Sequence, residues 1–198
     1  MNLSLVNNLD TGESRHNKIH SLKLLLWFAL GSITMMFTAL LSAYIYKQSS
    51  GHWVYIDLPI SFLFNTLIIV ISSFTIHWAY KLTRSDQLNR AKQFLIVTFF
   101  LGIVFLTGQY FSWLEMVDQD VFLIDPRSVS GSFVYILSGL HALHILGGLV
   151  ALFIMLVRSI RKQLNMSNIL GLELTLTYWH FLSFLWLYIY VFLMVNQN

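Results

Sequence analysis

Residues 128–157 read SVSGSFVYILSGLHALHILGGLVALFIMLV, thirty positions without an Asp, Glu, Lys or Arg. An α-helix needs about 20 apolar residues to cross the hydrocarbon core of a bilayer. The stretch exceeds that length, and the surplus is expected as loop at Ser128–Ser132. Outward from it the chain repeats the pattern. Leu24–Tyr46, Leu58–Tyr80, Gln93–Leu114 and Leu174–Asn198 are also uncharged, at 23, 23, 22 and 25 residues. No alternating run of about ten residues marks a membrane β-barrel. The expected fold is an all-α integral membrane bundle of five transmembrane helices near 24–46, 58–80, 93–115, 133–157 and 174–195. Pro59 and Pro126 fall at a helix start and in a loop, where proline is tolerated.

Composition excludes the alternatives. Of 198 residues, 57% are apolar and 11% charged, against about 25% charged in a soluble domain. A disordered chain would be poor in apolar and aromatic residues. The net charge of +3 does not point to nucleic acid, because the basic residues sit between apolar blocks. Cysteine is absent, which excludes disulfides, thiolate metal sites and a cysteine nucleophile. Residues 1–21 form a polar tail and 22–198 a single membrane domain. The first helix is too long for a signal-peptide core and is expected to be an uncleaved anchor.

Charge sets the expected orientation. Arg15, Lys18 and Lys23 precede the first helix; Lys81, Arg84, Arg90 and Lys92 join the second to the third; Arg158, Arg161 and Lys162 join the fourth to the fifth. These segments share one side and hold ten of the twelve basic residues, leaving Lys47 and Arg127 opposite. Positive-inside bias then expects a cytoplasmic N-terminus and an exterior C-terminus. Asp57, Glu115, Asp118, Asp120 and Asp125 make the outer side acidic, and read as solvated loop.

Polar residues within the spans must find partners in hydrocarbon, so they are expected to face a bundle interior. The fourth helix carries His141 and His144 on the face of Leu137 and Gly148; the fifth carries Glu173, Thr177, His180, Phe184 and Leu187 on one face. Gln109 and Ser112 lie on the third, and Asn65, Ser72 and Thr75 on the second. The expected structural seam is His141, His180, Glu173, Gln109 and Asn65. Counting from the inner helix ends at about 1.5 Å per residue places His144 and His180 roughly 10 Å apart in depth, too far to share a haem. His77 and His180 can share a depth. Two histidines alone undersupply a transition metal, so no metal site is expected. Glu173 reads as an ion pair with Arg158 or Arg161, with proton uptake as the alternative. No catalytic triad, carboxylate pair or phosphate loop appears.

Gly139-Leu-His141-Ala-Leu-His144-Ile-Leu-Gly147 and Tyr178-Trp179-His180-Phe181-Leu-Ser-Phe-Leu-Trp186-Leu187 together resemble the signature of cytochrome c oxidase subunit III, G-x-H-x-x-H-x-x-G and Y-W-H-F-x-D-x-x-W-L. Leu58-Pro59 with Asn65-Thr66, Leu101-Gly102 with Phe105 and Gln109, and Gly171-Leu-Glu173 resemble three further family motifs in the right order. The likeness covers about residues 28–195 and matches the short five-helix bacterial form, without the first two helices of the seven-helix form. Three intramembrane acids of the family have no counterpart: the first helix has none, and Ser112 and Ser183 stand at the other two positions. A proton relay through those acids does not carry over.

The resemblance implies a subunit of a proton-translocating haem–copper terminal oxidase in the bacterial cytoplasmic membrane. It implies no haem or copper on this chain, with both held by other subunits; the implied partners are subunits I and II, with a larger respiratory supercomplex as a further option. It further implies bound phospholipid and a role in sustained turnover. Arg158 and His144 match the lipid-contact positions, with Arg161 beside them, while Glu173 and His180 support the last helix. A quinol oxidase shares the motifs, and the neighbouring subunit's copper-binding C-x-x-x-C motif decides between donors. A small stand-alone transporter or bis-histidine membrane cytochrome remains the reading from another class.

Overall fold

The computed structural model describes residues 3–49, 53, 55–56, 58–123, 129–161 and 169–197, with side chains between 20 and 196. Arg15, Lys18, Asp57, Asp125, Pro126, Arg127, Ser128 and Lys162, all used above, lie outside the described side chains. The described residues form five helices and no strand: α1 (Leu3–Gln48), α2 (Ser61–Arg84), α3 (Leu88–Asp118), α4 (Val129–Ile160) and α5 (Leu170–Gln197). All five are long and apolar enough to cross a membrane, with α1 contributing His20–Gln48 to its span.

The helices overrun the uncharged stretches that predicted them. A charge ends the sequence compatible with hydrocarbon; it does not end an i→i−4 hydrogen-bond ladder. Thus α1 continues back through the polar tail to Leu3, and α4 starts at Val129 where loop was expected. Ser132 is already helical, and its Oγ donates to Leu123 O at 2.6 Å, holding the preceding segment against α4. α2 starts later than expected, at Ser61, because the chain first turns at Pro59, whose carbonyl accepts from Phe62 N at 3.1 Å.

Two helix ends close in the same way. After α2, Gln87 N donates to Leu82 O and Asp86 N to Thr83 O; after α3, Val121 N donates to Met116 O and Asp120 N to Val117 O. These are Schellman closures, which need a left-handed residue just past the helix. Asp86 and Asp120 supply it at φ 57° and 59°, a conformation that aspartate tolerates better than most side chains.

α2, α3, α4 and α5 pack in a ring, each against two neighbours, and α1 lies outside it against α4 and α5. Two tryptophans of α5 fill the ring. Trp179 lies against Gly102 of α3 and Gly148 of α4, positions where an added Cβ would fall 2.9 and 3.1 Å from the indole. Its Nε1 donates to Ser72 Oγ of α2 at 3.0 Å. Trp186 meets Phe62, Phe105 and His141, and its Nε1 donates to Thr66 Oγ1 at 3.1 Å. Each indole thus buries its apolar body while pairing its one donor, as a low-dielectric interior requires.

α1 is held differently. Lys23 of α1 pairs with Glu173 at the start of α5, and Gln48 at the C-terminal end of α1 donates to Asn196 O at the end of α5. The two helices therefore run parallel. Between these clips Tyr44 is fully buried in an aromatic nest of Trp53, Phe133 and Phe192.

Candidate functional site

The polar residues fall into three groups at different places. The first is internal. Asn65 of α2 donates to Ser112 Oγ of α3 at 3.2 Å, and Ser112 Oγ donates to Gly108 O at 2.9 Å. Trp113 Nε1 reaches Ser138 Oγ of α4 at 3.0 Å. Gln109 and His141 are buried at this level, and neither the amide of Gln109 nor either ring nitrogen of His141 has a partner among the described residues. His141 is held instead by ring contacts, 4.9 Å from Trp186 and 5.9 Å from Phe105. Of the expected seam, Asn65 and His141 both pack on α3, against Gly108 and Phe105, and Gln109, next to Gly108 in sequence, lies buried on that helix. Glu173 and His180 serve other contacts.

The second group lies where α4 ends and α5 begins. Glu173 pairs with Lys23 of α1 at 2.8 Å, both side chains being about 40% exposed at 36% and 42%. The expected ion pair with Arg158 or Arg161 is therefore corrected. The short loop between α4 and α5 suggested those partners, but α1, distant in sequence, crosses the start of α5. A carboxylate in the first turn of a helix is also favoured by the N-terminal dipole. Arg158 and Arg161 are exposed, and neither has a hydrogen bond or ion pair among the described residues. The Arg158 guanidinium lies beside Gly171, where a Cβ would stand 3.5 Å from its Nη1.

The third group is histidine on either side of α5. His144 Nδ1 bonds Leu140 O at 2.6 Å, Tyr178 Oη donates to His144 O at 3.2 Å, and the imidazole faces Phe37 of α1. His180 pairs through Nδ1 with Ser73 Oγ of α2, and its ring lies 5.8 Å from that of His77. The sequence reading that His77 and His180 share a depth matches this contact. The estimate of depth for His144 and His180 needs correction. Gly148 touches Trp179, and Gly171 touches Met155 and Arg158, so α4 runs past the start of α5 and the two histidines differ by about one turn, roughly 5 Å. Direction separates them: one ring faces α1 and the other α2. Among the described residues no three His, Cys, Asp or Glu side chains gather as a metal site.

The model of one family, cytochrome c oxidase subunit III, matches residues 12–197. The chain belongs to that family. A protein of Mycobacterium tuberculosis named probable cytochrome c oxidase subunit 3 is 25% identical over 193 residues, covering 89% of this chain and 92% of its own length. Cytochrome c oxidase subunit 3 of Chondrus crispus is 35% identical over 127 residues, 64% of this chain and 45% of its own. That of Spodoptera frugiperda is 30% identical over 129 residues, 65% and 84%. As a subunit III family member the chain is a multi-pass membrane component of a terminal respiratory oxidase, and the complex is an enzyme.

Sequence reasoning missed three features of this subunit III fold. These are the Lys23–Glu173 clip, the Gln48–Asn196 clip and the aspartate-based helix closures. The first two depend on which helices become neighbours, and no local signal carries that. At two positions where the family carries acids, Ser112 and Ser183 bond to carbonyls of their own helices, Gly108 O and Trp179 O. They are satisfied locally and carry no charge.

Proposed function

We propose that this chain is the non-redox subunit III of a cytochrome c-type haem–copper oxidase in a bacterial cytoplasmic membrane. Its N-terminus is cytoplasmic, and it packs beside subunits I and II, which carry the haem and copper. The observation that carries this reading is the family match across nearly the whole chain, at nearly full coverage of a relative named for that oxidase. The orientation is supported by the basic residues, with Lys81, Arg84, Arg158 and Arg161 at one end of the bundle.

Within the complex the chain holds phospholipid at its inner face and so prolongs turnover. Arg158 supports this role. Glu173 is engaged by Lys23, so the guanidinium is available to a phosphate, which its planar fork suits in a way an ammonium does not. Arg161 adds charge one turn away, and His144 lies deeper along the acyl region between α1 and α4. On this reading Arg158→Ala lowers phospholipid per complex and shortens the number of turnovers before inactivation, with a near-normal initial rate. Normal lipid and normal lifetime in Arg158→Ala would discard the lipid role. The donor is tested by assaying the purified complex with reduced cytochrome c and with quinol; oxidation of quinol alone would assign the quinol oxidase form.

A further inference from the structure

Four histidines lie well within the spans, and three of them are at least half-buried among helices of this chain. His77 is different. It lies four residues inside Lys81, the first charge at that end of α2, about 6 Å along the helix, and its side chain is exposed. Its one ring contact is His180, and it has no hydrogen bond or ion pair among the described residues. Three exposed hydroxyls in the spans are satisfied without leaving their helix: Ser32, Thr38 and Thr107 donate to carbonyls one turn back. An ionisable side chain at this depth faces protein or a water-filled cavity rather than acyl chains, because hydrocarbon offers it no partner.

We infer that the seam between α2 and α5 around His77 is covered by a transmembrane helix of a partner subunit. That helix presents a hydrogen-bond acceptor, a carboxylate or a carbonyl or hydroxyl oxygen, to the His77 ring. The chemistry of the seam fits one polar contact in an apolar frame. His180 is turned toward Ser73, which leaves His77 as the outward-facing polar group. Phe74 and Phe184 flank it at 65% and 71% exposure, on α2 and α5 respectively. A phospholipid headgroup is not the occupant, since Lys81 lies one turn nearer the inner surface on the same face and would meet it first. The inference rests on the reading of this chain as an oxidase subunit and adds the face and the chemistry of the contact.

The chain has no cysteine, so Phe74→Cys, Phe184→Cys and, on α1, Met35→Cys each give one attachment point. Met35 is 77% exposed and serves as an equally open control. Each variant is modified with a benzophenone maleimide in membranes holding the assembled complex, then irradiated. Adducts to another subunit are expected from positions 74 and 184 and not from 35. Lipid adducts alone from 74 and 184, in a complex that still co-purifies intact, overturn the inference and spare the functional reading. A chain that co-purifies with no other subunit overturns both. In a second measurement, His77→Leu is expected to lower retention of this subunit in detergent about three- to tenfold, the scale of one interhelical hydrogen bond, while His77→Gln retains it. Retention of His77→Leu at the wild-type level also overturns the inference.

Discussion

The four-helix ring and the outlying α1 solve the same problem in two ways. In the ring, apolar side chains interlock: Trp179 occupies space that Gly102 and Gly148 leave open, and Trp186 is enclosed by Phe62, Phe105 and His141. In α1 only 17% of the most apolar window is buried within the chain, against 28–44% in the other four helices. Two polar clips at the ends of its spanning part and an aromatic nest around Tyr44 hold it. In a bilayer, lipid tails are as apolar as the helices, so association comes from close fit and hydrogen bonds. The ring uses fit throughout; α1 uses a few discrete contacts. Substitutions in the ring should therefore unfold the subunit, and substitutions in α1 should release one helix.

The largest effect is expected from Trp179→Ala. Removing a fully buried indole costs about 3–5 kcal/mol, and here it also leaves the Ser72 hydroxyl without its donor. The midpoint of SDS-induced unfolding in mixed micelles should fall sharply, with all helices lost together. Tyr44→Ala should cost less and act locally. Hydrogen exchange should rise in α1 while α2–α5 stay protected; loss of protection across the ring would erase the contrast between the two regions.

Gly148→Val tests fit from the other direction. The added Cβ already stands 3.1 Å from Trp179, so overpacking of about 1–3 kcal/mol is expected in the same unfolding assay. Lys23→Met should cost at most about 1 kcal/mol, because the pair is partly exposed to solvent and screened. The smallest change is expected from His141→Phe. Both ring nitrogens lack partners within the described protein, so replacing the imidazole by a ring of similar shape should leave stability unchanged or raise it. A loss of 2 kcal/mol or more, on the order of a broken buried hydrogen bond, would mean that the imidazole bonds a buried water within the bundle.

The spans were legible because charge is so sparse: five uncharged stretches located all five helices. Their ends were less so, since helices continue past the hydrocarbon edge and only Pro59 marks a true start. Trp179 and Trp186 of α5 are fully buried packing groups. Neighbour choice was not. Glu173 was matched to Arg158 because the joining loop is short, yet its partner comes from α1, 150 positions away. The depth of His144 relative to His180 was misjudged by treating α4 and α5 as ending at one level, whereas Gly171 lies beside Met155 and Arg158. Asp86 and Asp120 end their helices as glycine commonly does, and nothing in their identity announced it. Within the candidate site, Asn65 meets Ser112 of α3 and His141 meets Phe105 of the same helix, while Glu173 and His180 serve other contacts.

The central claim is that this chain is a non-redox subunit of a terminal oxidase, and purification through a tag on the chain tests it most directly. The complex should contain the haem-bearing catalytic subunit, oxidise its donor with oxygen, and show a reduced-minus-oxidised haem band. After dissociation, that band should travel with the other subunits and leave this chain colourless. A tagged chain that emerges with no oxidase subunit, or one that keeps a haem band of its own and loses it in His180→Ala, would contradict the account.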